Sequence, residues 1–444
     1  MDQNLFISKL DSDGNFLWAV QTQNIGTARS YGTAISLDKD ENIVVTGSFH
    51  EQVDFDSRTG PYIMNGPTSE NSADIFITKF NKNGNFIWAK QLLGTIGSNY
   101  PYSLAIDAFG NIHISGEFRN TVDFDPGPGI FSLTSSDYRN GFVLKLDADG
   151  NFNWVGIILK GSDGPVSVIS MDIDSDGNVY ITGSFYGTVD IDPASGTHSI
   201  TATGQSDLFV SKLNPGGNLI WVKTIGGNDR VVSSSIALDS KENIYISGAY
   251  IGTADFDPGN AIKSMTSSGA YFLTKLDKDG NFLWVKNMID QSKIYGGTNT
   301  VFIDQADNVF LTGIFQNTSD FDPGPGNHNL SARNNFDYFI TKLDPFGNFE
   351  YAGHIESLPG HLLWRQLPIT FFNDFIYALG DIQGTGDVDP GSDSFLISST
   401  GYSDLFVLKL RQYREFTLGE DTTTCEGDIF TIIPKSIYPN DKIL

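Results

Sequence analysis

A single cysteine, Cys425, in 444 residues excludes any intrachain disulfide, and by itself it leaves both an oxidising and a reducing compartment open. Basic residues are scarce: 28 Lys and Arg face 53 Asp and Glu, a formal net charge of −25. Without a basic stripe to neutralise phosphates, nucleic acid and anionic membrane are poor partners, and acidity spread through the whole chain serves solubility first. No run approaches the roughly 18 apolar residues of a spanning helix, and the opening MDQNLFISKLDSDGNFLW has neither a basic nor an apolar leader region, so membrane insertion is not expected. Catalytic fingerprints are missing too: there is no HExxH, GxSxG, phosphate-binding loop or dinucleotide motif.

What the chain does have is one sentence written repeatedly. FLTKLDKDGNFLWVK at Phe272 recurs as FISKLDSDGNFLWAV from Phe6, FITKFNKNGNFIWAK from Phe76, FVLKLDADGNFNWVG from Phe142, FVSKLNPGGNLIWVK from Phe209 and FITKLDPFGNFEYAG from Phe339; FVLKLRQYREF from Phe406 is a degenerate seventh copy. The lysines Lys9, Lys79, Lys145, Lys212, Lys275, Lys342 and Lys409 are spaced 70, 66, 67, 63, 67 and 67 residues apart. Units of this size cannot bury a face alone and must stack, so the repeat outweighs the prior of about three separate domains. With 47 Gly and 13% aromatics the composition suits short strands joined by tight turns and argues against disorder.

Each copy reads as an antiparallel hairpin closed by Gly-Asn, residues that accept the positive φ of a tight turn. A second hairpin precedes it in most copies: AISLDKDENIVVTGSF from Ala34, LAIDAFGNIHISGEF from Leu104, MDIDSDGNVYITGSF from Met171, IALDSKENIYISGAY from Ile236, VFIDQADNVFLTGIF from Val301 and a shortened ITFFNDFIYALGDI from Ile369. We name the strands of this hairpin A and B and those of the lysine-bearing hairpin C and D; four antiparallel strands per unit make a propeller blade. Gly47, Gly116, Gly183, Gly248, Gly313 and Gly380 hold one fixed B-strand position, which points to a bulge or a close approach. The D-strand aromatics Trp18, Trp88, Trp154, Trp221, Trp284 and Tyr351 are expected to pack between blades rather than to form a sugar platform. The expected fold is therefore all-β: a β-propeller of four-stranded antiparallel blades, seven of them with an incomplete first blade, or six closed by exchange of terminal strands. It spans residues 1–412, and residues 413–444 form a linker and the cut-off start of another β module.

These phrases resemble the SBBP-type β-propeller repeats, whose units read much like DxDGNxYITGSFxGTVDFDPG followed by DxFVxKLDxxGNFxWxK. The resemblance covers about Leu5 to Leu410 and implies a seven-bladed propeller on a secreted or surface protein of Bacteroidetes-like bacteria. It brings no catalytic residues. The tail LGEDTTTCEGDIFT from Leu418 is similar to the opening of an immunoglobulin-like module, and on that likeness the partner of Cys425 and the signal peptide would lie outside this chain.

Two features invite a sharper reading. Runs such as Asp11, Asp13, Gly14 and Asn15, or Asp174, Asp176, Gly177 and Asn178, resemble the front of a calcium loop, but none continues to the bidentate Glu, and hairpin turns capped by Asp explain them. Between strands B and C every insertion carries a pair of aspartates: Asp54 and Asp56, Asp123 and Asp125, Asp190 and Asp192, Asp255 and Asp257, Asp320 and Asp322, Asp387 and Asp389. Alternation puts each pair on one face, where a cation or backbone amides would relieve the repulsion; turn capping is the expectation and calcium the alternative. The six histidines, His50, His113, His198, His328, His354 and His361, share no blade position. The expected function is non-catalytic, extracellular binding or scaffolding of a protein or glycan, with no cofactor, no metal and no catalytic residue, by a monomer or one part of a larger multidomain chain. The alternative is a propeller hydrolase or lyase acting on glycans or peptides. Recognition is expected on the D-to-A connections, which vary most, with His361 and Trp364 as the least repeat-like residues there.

Overall fold

The computed structural model describes residues 4–411 apart from 70, 136–138, 162–166, 291–298, 334–335, 357–366, 373–374, 383, 391–393 and 400–403. The carboxyl-terminal module, Cys425, His361 and Trp364 lie outside the described residues. No α-helix occurs among the described residues, and the chain is a repeat of antiparallel sheets with A, B, C and D strands side by side, the blades of a propeller. The third blade shows the pattern: Tyr100–Ile106 (A), Ile112–Phe118 (B), Asn140–Leu146 (C) and Phe152–Ile158 (D). Among the described residues the first unit shows Phe6–Leu10 (C) and Phe16–Gln21 (D), which form a two-stranded sheet, and the seventh shows Ile369–Phe372 (A), Phe375–Ile382 (B) and Asp404–Arg411 (C).

The repeated residues turn out to be what joins each blade to itself and to the next. Each B-strand glycine lies opposite the C-strand phenylalanine: Gly47 with Phe76, Gly116 with Phe142, Gly183 with Phe209, Gly248 with Phe272, Gly313 with Phe339 and Gly380 with Phe406. A Cβ at Gly183 would stand 1.9 Å from Ser167 O and 2.6 Å from the Phe209 ring, so the strand admits only glycine. The ring covers the gap, and Phe76, Phe142, Phe209, Phe272 and Phe339 are fully buried, each worth roughly 1.5–3 kcal/mol.

The C-strand lysine ties blade to blade. Lys79 Nζ lies 2.9 Å from Asp38 in the A–B turn of its own blade and donates to Ala148 O, 3.0 Å away, in the C–D turn of the next. Lys145 pairs with Asp107 at 3.3 Å and donates to Pro215 O at 3.4 Å; Lys275 pairs with Asp239 at 3.1 Å and donates to Pro345 O at 3.2 Å. Lys212 pairs with Asp174 at 3.2 Å. At the far end of the chain Lys409 Nζ donates to Ser12 O, 2.7 Å away, three residues beyond Lys9, which is the register Lys9 itself uses on Lys82 O. The last blade thus sits against the first.

The D-strand tryptophans pack as expected, each on the Gly-Asn turn of the following blade. A Cβ on Gly84 would meet the Trp18 ring at 2.8 Å and one on Gly217 the Trp154 ring at 2.8 Å, while both indole N–H groups donate to that turn, at Lys82 O (3.2 Å) and Pro215 O (3.0 Å). These turn glycines also hold φ near +80°, so two constraints coincide on one residue.

Candidate functional site

Neighbouring A strands touch around the ring and are laced by side chains: Met171 N–H donates to Ser103 Oγ (3.2 Å), Ile236 N–H to Ser170 Oγ (3.3 Å) and Leu238 N–H to Asp172 Oδ2 (2.9 Å). Burial pushes the Asp172 carboxyl up to about 6, against the pull of its two amide donors. Ser103, Ser170 and Asp172 on this inner wall therefore serve the backbone.

The aspartate pairs do the same. In each insertion the first carboxylate spans a small hairpin: Asp123 Oδ1 accepts from Asp125 N (3.1 Å) and Phe131 N (2.8 Å), Asp190 from Asp192 N (3.0 Å) and His198 N (2.9 Å), and Asp320 from Asp322 N (3.1 Å) and His328 N (2.8 Å). The second caps the turn, as Asp125 does on Gly127 N at 2.8 Å. In the third and fifth blades the strand carrying the pair also adds to the D strand of the preceding blade, with Asp123 opposite Leu93 and Asp255 opposite Gly226, and in the second Asp54 lies opposite Gln23, just beyond the first D strand. The insertions are clasps between blades. The turn aspartates behave alike: Asp11 Oδ1 accepts from Asp13 N and Asn15 N at 2.9 and 2.8 Å, and Asp174 Oδ1 from Asp176 N and Asn178 N at 3.1 and 2.8 Å. Among the described residues no group of three or more His, Cys, Asp or Glu is placed to hold a metal ion.

Where the D-to-A connections lie wholly within the described residues, they are shorter than the sequence suggested. Gln21–Thr33, expected as a loop, lies almost wholly within the strand Gln23–Leu37, and between Leu219–Gly227 and Arg230–Leu238 only Asn228 and Asp229 remain. The strands simply continue, because the clasp strands supply them with partners. The histidines are dispersed: His113 lies 3.2 Å from Asp107, His328 3.1 Å from Ala352 O and His354 3.3 Å from Asp337. His113 occupies the place that Tyr180 and Tyr245 hold over Lys212 and Lys275 in the next two blades. Burial pushes its imidazole down, Asp107 opposing and Lys145 adding to the effect. Burial disfavours the Asp107 carboxylate, yet hydrogen bonds from His113 and Asn111 outweigh it and hold the group well below the ordinary carboxylate range.

On the third blade a charged group departs from the repeat. Glu117 follows the B-strand glycine of the third blade, where the second, fourth, fifth and sixth blades carry Ser48, Ser184, Ala249 and Ile314 and the seventh carries Asp381. Its carboxylate is 5% exposed and meets Arg139 at 3.5 Å and Ser167 Oγ at 3.2 Å. Arg139 also stacks over the Tyr100 ring at 4.8 Å. Burial pushes the Glu117 carboxyl up, with Arg139 pulling it back, and burial together with Glu117 pushes the Tyr102 phenol up. Tyr102 and Arg139 are about one-third exposed, so Glu117 sits behind a partly open aromatic and cationic surface where the A strands of two blades begin. Sequence reading passed over these residues because they come together only once; the signal was an acid at a position that is small or apolar in the second, fourth, fifth and sixth blades, though the seventh also has an acid there, Asp381.

No family model matches the chain. It is 26% identical over 275 residues to an uncharacterized WD repeat-containing protein, L264, of Acanthamoeba polyphaga mimivirus, covering 54% of this chain and 19% of that protein, so the chain spans about a fifth of the relative's length. Among solved structures, one of unknown function from Bacteroides caccae aligns over 80% of this chain and 94% of its own with a TM-score of 0.36 and 10% identity. The Vibrio cholerae biofilm matrix protein Bap1 aligns over 93% and 81% with a TM-score of 0.21 and 11% identity. The chain is thus similar to a WD-repeat protein while its blades are longer than the roughly 40–45 residues usual for that repeat.

Proposed function

We propose that this chain is a non-catalytic binding or scaffold propeller of a secreted or cell-surface protein, recognising a protein or glycan at the rim around Glu117, Tyr102 and Arg139. The observation that supports it is a division of labour among polar residues: the aspartates and lysines that recur from blade to blade are spent on backbone amides and blade junctions, whereas Glu117, Tyr102 and Arg139, which come together once, form a partly open group. The SBBP-type repeat phrase supports the extracellular setting. The bond from Lys409 to Ser12 supports seven blades, because a six-bladed ring would need both terminal C strands in one sheet, whereas they occupy separate sheets. Residues 413–444 keep their reading as the start of an immunoglobulin-like module.

A glycan array probed with the purified chain and with a Tyr102→Ala/Arg139→Ala variant tests this. Selective binding lost in the variant is the expected result. The rival reading, an enzyme, draws on Glu117 as a buried carboxyl held toward its protonated form beside a cation, the setting of a general acid. Turnover of p-nitrophenyl glycosides or casein by the chain, abolished in Glu117→Gln, would replace the binding reading.

A further inference from the structure

Each clasp aspartate uses one oxygen and leaves the other. Asp123, Asp190, Asp255 and Asp320 accept both of their amides at Oδ1, and the fourth blade shows what the remaining oxygen can hold. There Lys160 Nζ lies 3.5 Å from Asp190 Oδ2 and donates to Asp192 O at 2.8 Å and Ala194 O at 3.3 Å. Three oxygens of one turn thus meet the three N–H donors of one ammonium. Lys160 arrives through an irregularity of its strand. It lies opposite Asp190 and follows Trp154 by one residue more than Leu93 and Gly226, opposite Asp123 and Asp255, follow Trp88 and Trp221. The added residue, Leu159, holds φ at +61°, a conformation that side chains other than glycine rarely adopt.

The third, fifth and sixth blades build the same turn without the lysine. Asp255 Oδ1 accepts from Asp257 N at 3.1 Å and Lys263 N at 2.7 Å, as Asp190 does from Asp192 and His198. The second aspartate caps the turn at Gly127, Ala194, Gly259 and Gly324 N, 2.7–2.9 Å away, in all four blades. With the turns held alike, the half-buried Asp123, Asp255 and Asp320 each carry an Oδ2 beside the carbonyls two and four residues on. Among the described residues none of these three carboxylates joins an ion pair, and the carbonyls of Asp257 and Gly259 and their equivalents accept no backbone hydrogen bond. Calcium asks for about 6–8 oxygens. The turn offers three, the number an ammonium can use, and a planar guanidinium cannot aim three donors at them from one atom.

We infer that the clasps of the third, fifth and sixth blades are docking points for lysine side chains of a partner polypeptide, each held as the fourth clasp holds Lys160. The formal net charge of −25 favours the approach of such a basic partner, and the three oxygens of each turn select the ammonium on arrival. None of these residues belongs to the group formed by Glu117, Tyr102 and Arg139, so either reading can fail alone.

The test uses the full chain and fluorescent hexalysine, followed by anisotropy at about 0.15 M salt, where long-range attraction is screened. Saturable binding is expected, and a hexamer of trimethyl-lysine, which keeps the charge and has no side-chain N–H, should bind about fivefold more weakly. Asp255→Asn/Asp320→Asn keeps an oxygen for the turn amides and puts an NH2 group where each Oδ2 stood. It should weaken hexalysine about fivefold, whereas Asp149→Asn/Asp279→Asn, which removes the same charge from exposed turns, should change binding less than about twofold. Lys160→Met opens the fourth clasp and should add a site, while Lys278→Met, the same change of charge at an exposed turn, should not. Equal binding of the two hexamers, equal effects of the clasp and turn substitutions, or no gain in Lys160→Met would overturn the inference. Displacement of hexalysine by calcium beyond the effect of ionic strength would overturn it in favour of a metal site. Self-association of the chain, lost in Asp255→Asn/Asp320→Asn, would do so in favour of a second copy.

Discussion

The first and fifth blades carry nearly the same C–D phrase, FISKLDSDGNFLW and FLTKLDKDGNFLW, yet the same residues are in different physical states. Phe272 is sealed between Gly248 and the neighbouring blade, and Lys275 holds Asp239 and lies 4.5 Å above the Tyr245 ring; Phe6 faces solvent and Lys9 keeps one contact of the set. The outer halves of the two blades are alike, since Trp18 seals its junction as Trp284 does. The lesson is that the repeat residues have no fixed energetic value: a phenylalanine or lysine in this phrase stabilises only when the A–B hairpin stands behind it.

The sharpest way to break the comparison is truncation of the phenylalanines. Phe272→Ala should cost about 3–5 kcal/mol by urea denaturation, and Phe6→Ala less than about 0.5 kcal/mol; equal losses would mean that the first blade is closed in solution. Next come the lysines. Lys275→Met leaves Asp239 buried without its cation and should cost about 3 kcal/mol, whereas Lys9→Met should cost under about 1 kcal/mol, the net worth of one hydrogen bond.

A smaller effect separates the third blade from its neighbours through His113. Its folded-state pKa is lowered from 6.5, so the unfolded chain takes up a proton that the folded chain refuses. Stability is therefore full above about pH 6.5 and falls as the pH drops below it, by up to about 1.4 kcal/mol per pH unit. Asp107, with its folded-state pKa lowered, contributes stability above its unfolded value of 3.8 that is lost only at more acid pH. His113→Phe, copying Phe310 of the sixth blade, should flatten the loss between pH 6.5 and 5 in denaturation midpoints. The smallest expected change is that of EDTA. With the paired aspartates engaged by backbone amides, thermal midpoints with EDTA and with calcium should agree within error, and a calcium-dependent rise would return those pairs to the list of metal sites.

Much of this was legible in the sequence because the repeat writes each local requirement several times. Gly-Asn turns, B-strand glycines and tryptophans recur in register, and each answers to a constraint that acts over a few ångströms: a positive φ, an absent Cβ, a flat ring against a turn. The clasp strands were less legible. The pair Asp123 and Asp125 was expected only to cap its own turn, whereas Val122 and Asp123 also pair with Gly94 and Leu93 of the preceding blade, and no spacing within one unit announces that partner. For the same reason Gln21–Thr33 looked like a loop: its polar, small residues are stabilised as a strand by pairing with Asp54 and its neighbours. Glu117 escaped notice because a single charged residue in a β pattern acquires meaning only from Arg139, Ser167 and Tyr102 around it.

By itself, then, the sequence determined the blade: its four strands, its turns, its inward glycines and the residues that seal one unit on the next, since all of these follow from local sterics and from alternation repeated at a fixed period. Tertiary structure alone decided which of those residues are satisfied. Burial, ion pairing and the shift of a buried carboxyl depend on what stands opposite, and across the gap at Phe6 and Lys9 the same phrase meets solvent where elsewhere it meets a strand.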